Sequence, residues 1–393
     1  MATVIVTDSH LGSATAVIRS LGRAGHRVVA AGWERHSPGF YSRHTAERVL
    51  YPSAADHPDA AVDALLGAAA EHGADLIVPV TDNVIFPLAA ARERLPAGCR
   101  LALPADDALA LAHDKDATLR LATRLGVPAP RTVTVHDEAG ARTAAADMRW
   151  PVVVKPRSSR KSEVAYAQSA EELVLRVREL RGEPGLVQEY CPGTGVGVEL
   201  LANAGRPLAA FQHRRLREVP ITGGASSLRE SVPLDPVLYE YSVRLLRELD
   251  WTGLAMVEFK LGPDGPRLME INGRIWGSLP LAVRAGMDFP AMMAELFLTG
   301  PPPADAGPLT DYGVGVRSRN LELDVVWVGS VLRRRRRYPF LEAPPRRAAL
   351  RAALGWLSPR DGFDVLSARD PRPGLAELSR IAFKLPRKVL HGS

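Results

Sequence analysis

The stretches MVEFK (256–260) and LMEINGR (268–274) decide how this chain folds and what it binds. Each alternates polar and apolar side chains with a period of two, which predicts a β-strand. The segment between them, LGPDGPR (261–267), is rich in glycine and proline. The two strands therefore form a predicted hairpin that turns around Asp264.

Two glutamates face each other in this predicted hairpin. Glu258 stands opposite Glu270, and Asn272 joins them on the same face. The other face is apolar and carries Val257, Phe259, Met269 and Ile271. Opposed side chains lie roughly 5 Å apart, so the two carboxylates repel each other unless a cation lies between them. Mg²⁺ prefers such oxygen ligands and keeps positions for phosphates. The alternative is an acidic face that is simply exposed to water.

Two lysines and a polar loop precede the hairpin. Lys115 begins an amphipathic helix that ends at Gly126. Lys155 ends an apolar strand, and LVQEYCPG (186–193) predicts a further strand that ends at a turn. The loop after Lys155 has a phosphate-facing composition and contains Ser158, Ser159, Arg160 and Lys161. The order of these elements is more informative than any one of them.

In this order the motifs resemble the ATP-grasp superfamily, specifically the carboxylate-amine ligase branch that includes D-aspartate ligases. The resemblance covers about residues 1–300, and EINGR with its partner glutamate is the most specific element. It implies an α/β protein in which a small parallel α/β domain precedes two α+β lobes that clasp ATP. The predicted divisions are an N-terminal domain at 1–105, a small lobe with a linker helix at 106–186, a large lobe at 187–300 and a basic C-terminal extension at 301–393.

The resemblance also implies which residues bind the cofactors, namely ATP and one or two Mg²⁺ ions, with Mn²⁺ as a substitute. The implied phosphate ligands are Lys115 and Lys155, and the implied lining of the adenine pocket is Gln188, Glu189, Tyr190 and Cys191. The implied metal ligands are Glu258, Glu270 and Asn272. Arg274 would meet the substrate carboxylate or the acyl phosphate.

Two features depart from the family pattern. Residues 188–191 would form the hinge between the two lobes. Many members carry a ribose-binding glutamate in a GxE setting after this hinge, whereas this chain has GTGVG at 193–197. Glu199 is the candidate substitute. The loop at 158–161 also lacks the glycines that are usual in a phosphate-covering loop.

Residues 211–231, FQHRRLREVPITGGASSLRES, lie between the hinge and the hairpin. The segment begins as a strand and becomes TGGASS, a flexible stretch of hydroxyls and free backbone N–H groups that suits phosphate or an anionic intermediate. A fixed guanidinium stabilises charge on a transferring phosphoryl group. Arg214, Arg215 and Arg229 flank the stretch, and Arg215 and Arg229 are the candidates for this role. The alternative is arginines solvated on exposed strands.

The first hundred residues predict a parallel α/β sheet whose strands include 2–8, 26–32 and 75–82. The G-x-G-x-x-G spacing of a dinucleotide site is absent. Polar side chains at the strand ends either contact an amine or carboxylate substrate or act as ordinary caps. They are Asp8, His10, Thr81 and Asp82.

The composition is that of a large enzyme. The 393 residues, 46% of them hydrophobic, can form two or three domains. No apolar run reaches the ~18 residues of a membrane span, and the first residues do not resemble a signal peptide. Cys99 and Cys191 are the only cysteines, so we expect no disulfide framework and a cytoplasmic location.

The end of the chain is basic. From residue 331 onward, 15 Lys and Arg stand against 5 Asp and Glu, and residues 333–337 are all arginine. Leu375, Leu378, Ile381 and Leu385 recur at helical spacing within 374–390. Three interpretations stay open: a helix packed on the body, contact with an anionic membrane, or docking of an acidic carrier protein or tRNA. A homodimer is a further possibility.

The predicted activity is ATP-dependent ligation. A small-molecule carboxylate attacks the γ-phosphate of ATP, and an amine then displaces phosphate from the acyl phosphate to leave an amide. An amino acid or peptide is the expected substrate. Two alternatives stay open, a carboxylase or carbamoyl-type reaction through carboxyphosphate and a nucleotide-binding regulator without turnover. The intact Glu258, Glu270 and Asn272 favour an enzyme.

Overall fold

The fold consists of three sheets and the helices that cover them. A computed structural model of the chain describes residues 1–157, 164–221, 223–333, 340, 344–358 and 360–390, with side chains as far as residue 383. The predicted loop at 158–161 and the arginines at 334–337 lie outside the described residues. Among the described residues no helix is long and apolar enough to cross a membrane, and both cysteines are free thiols.

The N-terminal domain is the predicted parallel α/β sheet, with strand order β3-β2-β1-β4-β5. Its strands are β1 (Thr3–Val6), β2 (Arg27–Gly32), β3 (Thr45–Leu50), β4 (Leu76–Val78) and β5 (Arg100–Leu101). Its helices are α1 (Gly12–Arg23), α2 (Pro58–His72) and α3 (Asp82–Ala90). Strands β1 and β4 are rich in Val and Ile because helices cover both faces of a parallel sheet.

The small lobe is an antiparallel sheet with strand order β6-β9-β7-β8. Its elements are α4 (Asp106–His113), α5 (Lys115–Arg124), β6 (Thr132–Val135), α6 (Glu138–Ala145), β7 (Val152–Pro156), β8 (Ala165–Ala167), α7 (Ala170–Glu179) and β9 (Gly185–Glu189). Asp114 caps α5 by accepting from the backbone N–H groups of Asp116 and Ala117. Strand β9 keeps its small-lobe pairing as far as Glu189, beyond the predicted division at 186.

The large lobe is a longer sheet with strand order β14-β13-β10-β11-β12-β15-β16. Its strands are β10 (Thr194–Asn203), β11 (Arg206–Val219), β12 (Ala225–Ser231), β13 (Gly253–Gly262), β14 (Gly265–Asn272), β15 (Arg317–Arg319) and β16 (Asp361–Phe363). Its helices are α8 (Pro236–Glu248), α9 (Leu279–Arg284), α10 (Phe289–Thr299), α11 (Leu321–Arg333), α12 (Arg346–Leu354) and α13 (Pro371–Leu390). Strands β15 and β16 follow residue 300 in the chain, so the sheet continues past the predicted start of the extension.

The hairpin prediction is confirmed, with one correction. Strands β13 and β14 pair so that Glu258 stands opposite Glu270, and the chain turns at Asp264. A β-bulge follows Glu258 and shifts the register by one residue, so Phe259 pairs with Leu268. Leu268 is therefore fully buried in the core, whereas Met269, predicted to be there, is only partly buried.

Helix α13 exists where a helix was predicted, but it packs through a different face. Leu375 and Leu378 are exposed, whereas Glu377 and Ile381 are buried. Polar contacts decide this orientation, because Arg380 donates to the backbone oxygen of His10 and to Glu322. Helix α13 thus joins the N-terminal domain to the large lobe.

Candidate active site

One face of the large-lobe sheet is polar and carries a continuous row of paired residues. The row runs from β14 to β12 through Glu270, Glu258, Gly197, His213 and Ser231. Paired residues on neighbouring strands point to the same face. The opposite face is apolar and packs against α8, whose Leu238 and Leu245 are fully buried.

Two lysines approach this row from the small lobe and its linker helix. Lys115 Nζ, at the start of α5, lies 3.9 Å from Glu270 Oε2. Lys155, on β7, donates from Nζ to Gln188 Oε1 at 3.1 Å, and Gln188 Nε2 donates to Thr132 Oγ1 at 2.9 Å. The structure thus brings the predicted Lys115, Lys155 and Gln188 to the edge of the predicted metal site.

The charges in this cleft shift one another's pKa values. Burial lowers the pKa of Lys155 to about 8, against the opposing effect of Glu270. Burial raises the pKa of Glu258, and the neighbouring Glu270 adds to the shift. Burial also acts to raise the pKa of Glu270, but Lys115, Lys155 and Arg274 outweigh it and lower that pKa. The cleft therefore holds cations and anions that compensate one another only in part.

Arg215 lies on the same polar face and contacts a predicted metal ligand. It donates to Glu258, to Glu218 Oε1 at 3.1 Å and to the backbone oxygen of Gly224 at 2.8 Å. Its side chain crosses β10 above Gly195, where a Cβ atom would lie only 2.9 Å from the Cδ of Arg215. The sequence therefore needs glycine at 195 to let the guanidinium reach the carboxylate.

The other two candidate arginines are placed differently. Arg229 is fully buried and donates to Asp364 Oδ1 at 2.6 Å and to the backbone oxygen of Gly277 at 3.1 Å. The guanidinium of Arg229 thus binds groups of the protein itself, which does not favour its predicted role at the phosphoryl group. Arg274 follows β14, and its Nε lies 3.5 Å from Asp82 Oδ2 of the N-terminal domain.

The strand-end side chains of the N-terminal domain divide into two kinds. Asp8 is buried and accepts from Thr81, both from the backbone N–H and from Oγ1, and from the hydroxyl of Tyr51. The Asp8 carboxylate therefore holds the strand ends of the N-terminal domain together. Asp82 meets Arg274 at the junction with the large lobe and remains a candidate substrate contact.

The predicted hinge residues follow β9 into the large lobe. The Tyr190 ring lies 6.0 Å from that of Tyr166 and 5.3 Å from that of Phe340, measured between ring centroids. Glu189 N donates to the backbone oxygen of Arg131 at 3.0 Å. Burial raises the pKa of the Cys191 thiol, so this cysteine is not an activated nucleophile.

The structure does not place Glu199 with the hinge residues. Glu199 is fully buried on β10, accepts from Ser278 Oγ at 2.9 Å and lies 3.0 Å from Nδ1 of His213. The end of the predicted TGGASS stretch is regular structure, because strand β12 begins at Ala225, whereas Thr222 lies outside the described residues. Sequence reasoning missed His213 and Ser278, whose only signal was a histidine in a predicted polar strand and a serine after EINGR.

The donor set fits a hard divalent cation. Among the described residues no three His, Cys, Asp or Glu side chains cluster as a metal site. The predicted donors are the carboxylates of Glu258 and Glu270, which stand opposite each other, and the amide oxygen of Asn272. Asn272 Nδ2 donates to Glu270 Oε1 at 3.2 Å, which orients both groups. Two opposed carboxylates, one buried and one partly exposed, suit Mg²⁺ together with an amide oxygen, with phosphate oxygens as its remaining ligands.

Comparisons with known proteins agree with this geometry. A family described as ATP-grasp in the biosynthetic pathway with Ter operon matches residues 181–320. This chain therefore contains a segment that matches an ATP-grasp family. Its fold is similar to biotin carboxylase of Campylobacter jejuni in complex with β,γ-ATP, with a TM-score of 0.67, 14% identity and coverage of 80% of this chain and 74% of that one. L-amino acid ligase of Bacillus licheniformis matches with a TM-score of 0.61, 17% identity and coverage of 76% and 74%. The predicted fold class is confirmed.

The curated relatives are much longer than this chain. The large chain of carbamoyl phosphate synthase from Rubrobacter xylanophilus is 28% identical over 233 residues, which are 56% of this chain and 22% of that protein. The chain therefore spans about a fifth of the length of the curated relatives that it matches.

Proposed function

We propose that this protein is an ADP-forming ATP-grasp carboxylate-amine ligase that activates a small carboxylate, an amino acid among the candidates, as an acyl phosphate. The observation that carries the proposal is the cleft itself. Lys115 and Lys155 approach from one side, and Glu258 and Glu270 lie opposite each other on the other side. Cations for phosphates and oxygens for a metal thus meet at one place.

The residues of the cleft have different roles in the first step, the formation of the acyl phosphate. The lysine ammonium groups bind the ATP phosphates, and Glu258, Glu270 and Asn272 would hold Mg²⁺, which supplies neutralisation of phosphate charge when bound. Arg215 lies beside Glu258 and stabilises the charge of the transferring phosphoryl group. No protein nucleophile is needed, because the substrate carboxylate attacks the γ-phosphate itself.

The second substrate site lies toward the N-terminal domain. Arg274 and Asp82 meet at the junction of that domain with the large lobe. A guanidinium beside a carboxylate suits a substrate that carries both a carboxylate and an ammonium group. Glu199 is fully buried away from the hinge, so the hinge residues bind the ribose instead.

A hydroxamate assay tests the proposal. The protein is incubated with Mg-ATP, hydroxylamine and each of the common amino acids in turn, and hydroxamate, ADP and phosphate are measured. We expect one acid or a few related acids to give equal amounts of the three products, with the Glu270→Gln variant as the control in which all three products fall together. ADP formation that depends on bicarbonate and gives no hydroxamate would instead favour a carboxyphosphate reaction, which the match to carbamoyl phosphate synthase makes the second candidate.

A further inference from the structure

A buried histidine lies in the same row as the metal carboxylates and has no role in the steps above. His213 pairs with Gly197, which in turn pairs with Glu258, and only 1% of the histidine side chain is exposed. A Cβ atom at position 197 would collide with the imidazole. The imidazole therefore lies over strand β10, on the side of Glu258, in space that the glycine leaves open.

A carboxylate approaches one of the two ring nitrogens. Glu199 Oε1 lies 3.0 Å from Nδ1 of His213 and also accepts from Ser278 Oγ at 2.9 Å. At this distance the two atoms form an ion-pair contact, and Nδ1 makes no hydrogen bond. Nε2 makes no hydrogen bond to any residue that the structure describes. A carboxylate at Nδ1 favours the tautomer with the proton on Nδ1, which leaves a lone pair on Nε2.

The surrounding groups keep this imidazole neutral. Burial lowers the pKa of His213, and the cations Arg215 and Arg229 lower it further, whereas Glu199 acts to raise it. Tyr312 is a further titratable group nearby. Its hydroxyl donates to the backbone oxygen of Val232 and stays protonated, because burial raises its pKa to about 12. A neutral imidazole with a free lone pair is a competent base.

The second step of ligation needs such a base. When an amine attacks an acyl phosphate, the new C–N bond leaves the nitrogen positively charged, and it must lose a proton as the C–O bond to phosphate breaks. The other charged side chains of the cleft are poorly suited. The lysines and arginines are cations, and Glu258 and Glu270 are assigned to the metal. Glu218 is paired with Arg215 and Lys260, and Asp82 with Arg274.

We propose that Nε2 of His213 accepts the proton that the attacking amine loses, with Glu199 as the residue that positions the imidazole. The inference rests on the function proposed above and adds the base for its second step. The C–N bond forms, the C–O bond to phosphate breaks, phosphate leaves, and the proton passes to Nε2 and then to solvent.

The choice of nucleophile separates this step from the first one. Hydroxylamine is unprotonated at neutral pH and reacts rapidly with acyl phosphates, so it depends little on a base. We expect His213→Asn to form hydroxamate within about twofold of the wild-type rate, because acyl phosphate formation is unaffected. With glycinamide as the amine, the rate of amide formation should fall by about 100-fold or more.

The pH dependence gives the matching prediction. In the wild type, the rate of amide formation divided by the fraction of glycinamide that is unprotonated should rise with pH through a value below 6.5 and then level off, because Nε2 must be unprotonated. That acidic limb should vanish in His213→Asn. His136→Asn, at an exposed histidine of the small lobe, is the matched control and should change neither rate. Equal losses with both nucleophiles, or no loss with either, would overturn the inference, whereas hydroxamate formation by the wild type tests the ligase function separately.

A spectroscopic measurement tests the same assignment without turnover. In the protein labelled with ¹⁵N-histidine, without ATP or metal, the signal missing from His213→Asn should report a neutral ring with the proton on Nδ1 at pH 7. A cationic ring at pH 7, or the Nε2–H tautomer, would contradict the proposal. In Glu199→Gln the same signal should lose its preference for the Nδ1–H form.

Discussion

Two clusters of buried charge in this protein differ in how completely the protein satisfies them. Beneath α11 and α12, the fully buried Asp324 accepts from Arg217 at 2.9 Å, Arg319 at 2.5 Å, Ser227 at 3.1 Å and the indole of Trp356 at 2.9 Å. In the cleft, the partly buried Lys155 has an amide oxygen as its hydrogen-bond partner, and desolvation lowers its pKa to about 8.

The difference in pairing between the two clusters indicates where a ligand binds. A buried charge that is fully paired serves the fold, whereas one that is paired only in part costs stability until something else binds it. The cleft keeps such charges on both of its sides, cationic from the small lobe and anionic from the large lobe. In the proposed function, Mg²⁺ and the phosphates of ATP would complement both.

The largest expected effect is on stability, in the satisfied cluster. Asp324→Ala leaves the partly buried Arg217 without the carboxylate that it contacts and the fully buried Arg319 with Asp361 alone. We expect a loss of about 3 to 5 kcal/mol in the free energy of unfolding. ATP affinity of the folded protein should be unchanged. Chemical denaturation and calorimetry measure the two quantities. If the variant unfolds like the wild type but fails to bind ATP, the Asp324 cluster serves ligand binding rather than stability, and the prediction is wrong.

The second effect is on chemistry, in the cleft. Glu270→Gln removes a metal-ligand charge, so ligation should fall by about 100-fold to 1000-fold in kcat. The variant should still fold, although Lys115 and Lys155 lose a compensating charge. Because Lys115, Lys155 and Arg274 lower the pKa of Glu270, the stability that it contributes should be present above about pH 4.3 and lost as the pH falls through its folded-state pKa. Wild-type turnover in this variant would remove the metal-site assignment.

The third effect has opposite signs for binding and for stability. Lys155→Met should weaken ATP binding by roughly tenfold to a hundredfold, which corresponds to about 1.5 to 3 kcal/mol for a charge-assisted contact. It should also raise the melting temperature of the ligand-free protein, because it removes a partly buried charge whose pKa is already lowered. An unchanged ATP affinity, or a destabilised ligand-free protein, would show that Lys155 is structural like Arg319.

The smallest effect is a pH dependence. The ammonium of Lys155 binds phosphate only when it is protonated, so ATP affinity should be full below about pH 8 and decline as the pH rises above it. Bound phosphate raises that pKa, which moves the decline upward. The stability of the ligand-free protein should rise between about pH 8 and the ordinary lysine value of about 10.4. Lys155→Arg should abolish both trends, and their persistence would assign them to another group.

The sequence predicted what depends on local periodicity. Alternation with a period of two was enough to place Glu258 opposite Glu270, and apolar strands with intervening helices were enough for the N-terminal sheet. It could not predict the bulge that moves Met269 out of the core, because a bulge depends on the pairing of two strands rather than on one. The exposed Leu375 was missed for a similar reason, since ionic contacts of Arg380 override the apolar stripe.

Long-range pairing was also beyond the sequence. Arg229 contacts Asp364, which lies 135 residues later, and no local pattern indicates that contact. His213 and Glu199 meet because β10 and β11 pair in one particular register. Such contacts decide which arginine is available to a substrate and which histidine lies near the metal ligands.

The most direct test of the central claim is to locate the metal in a crystal grown with a non-hydrolysable ATP analogue and Mn²⁺. The account predicts an anomalous peak about 2 Å from carboxylate oxygens of both Glu258 and Glu270, with phosphate oxygens completing its ligands and Lys155 at the phosphates. A manganese peak elsewhere, with the two carboxylates still held by Arg215 and Lys115 alone, would contradict it.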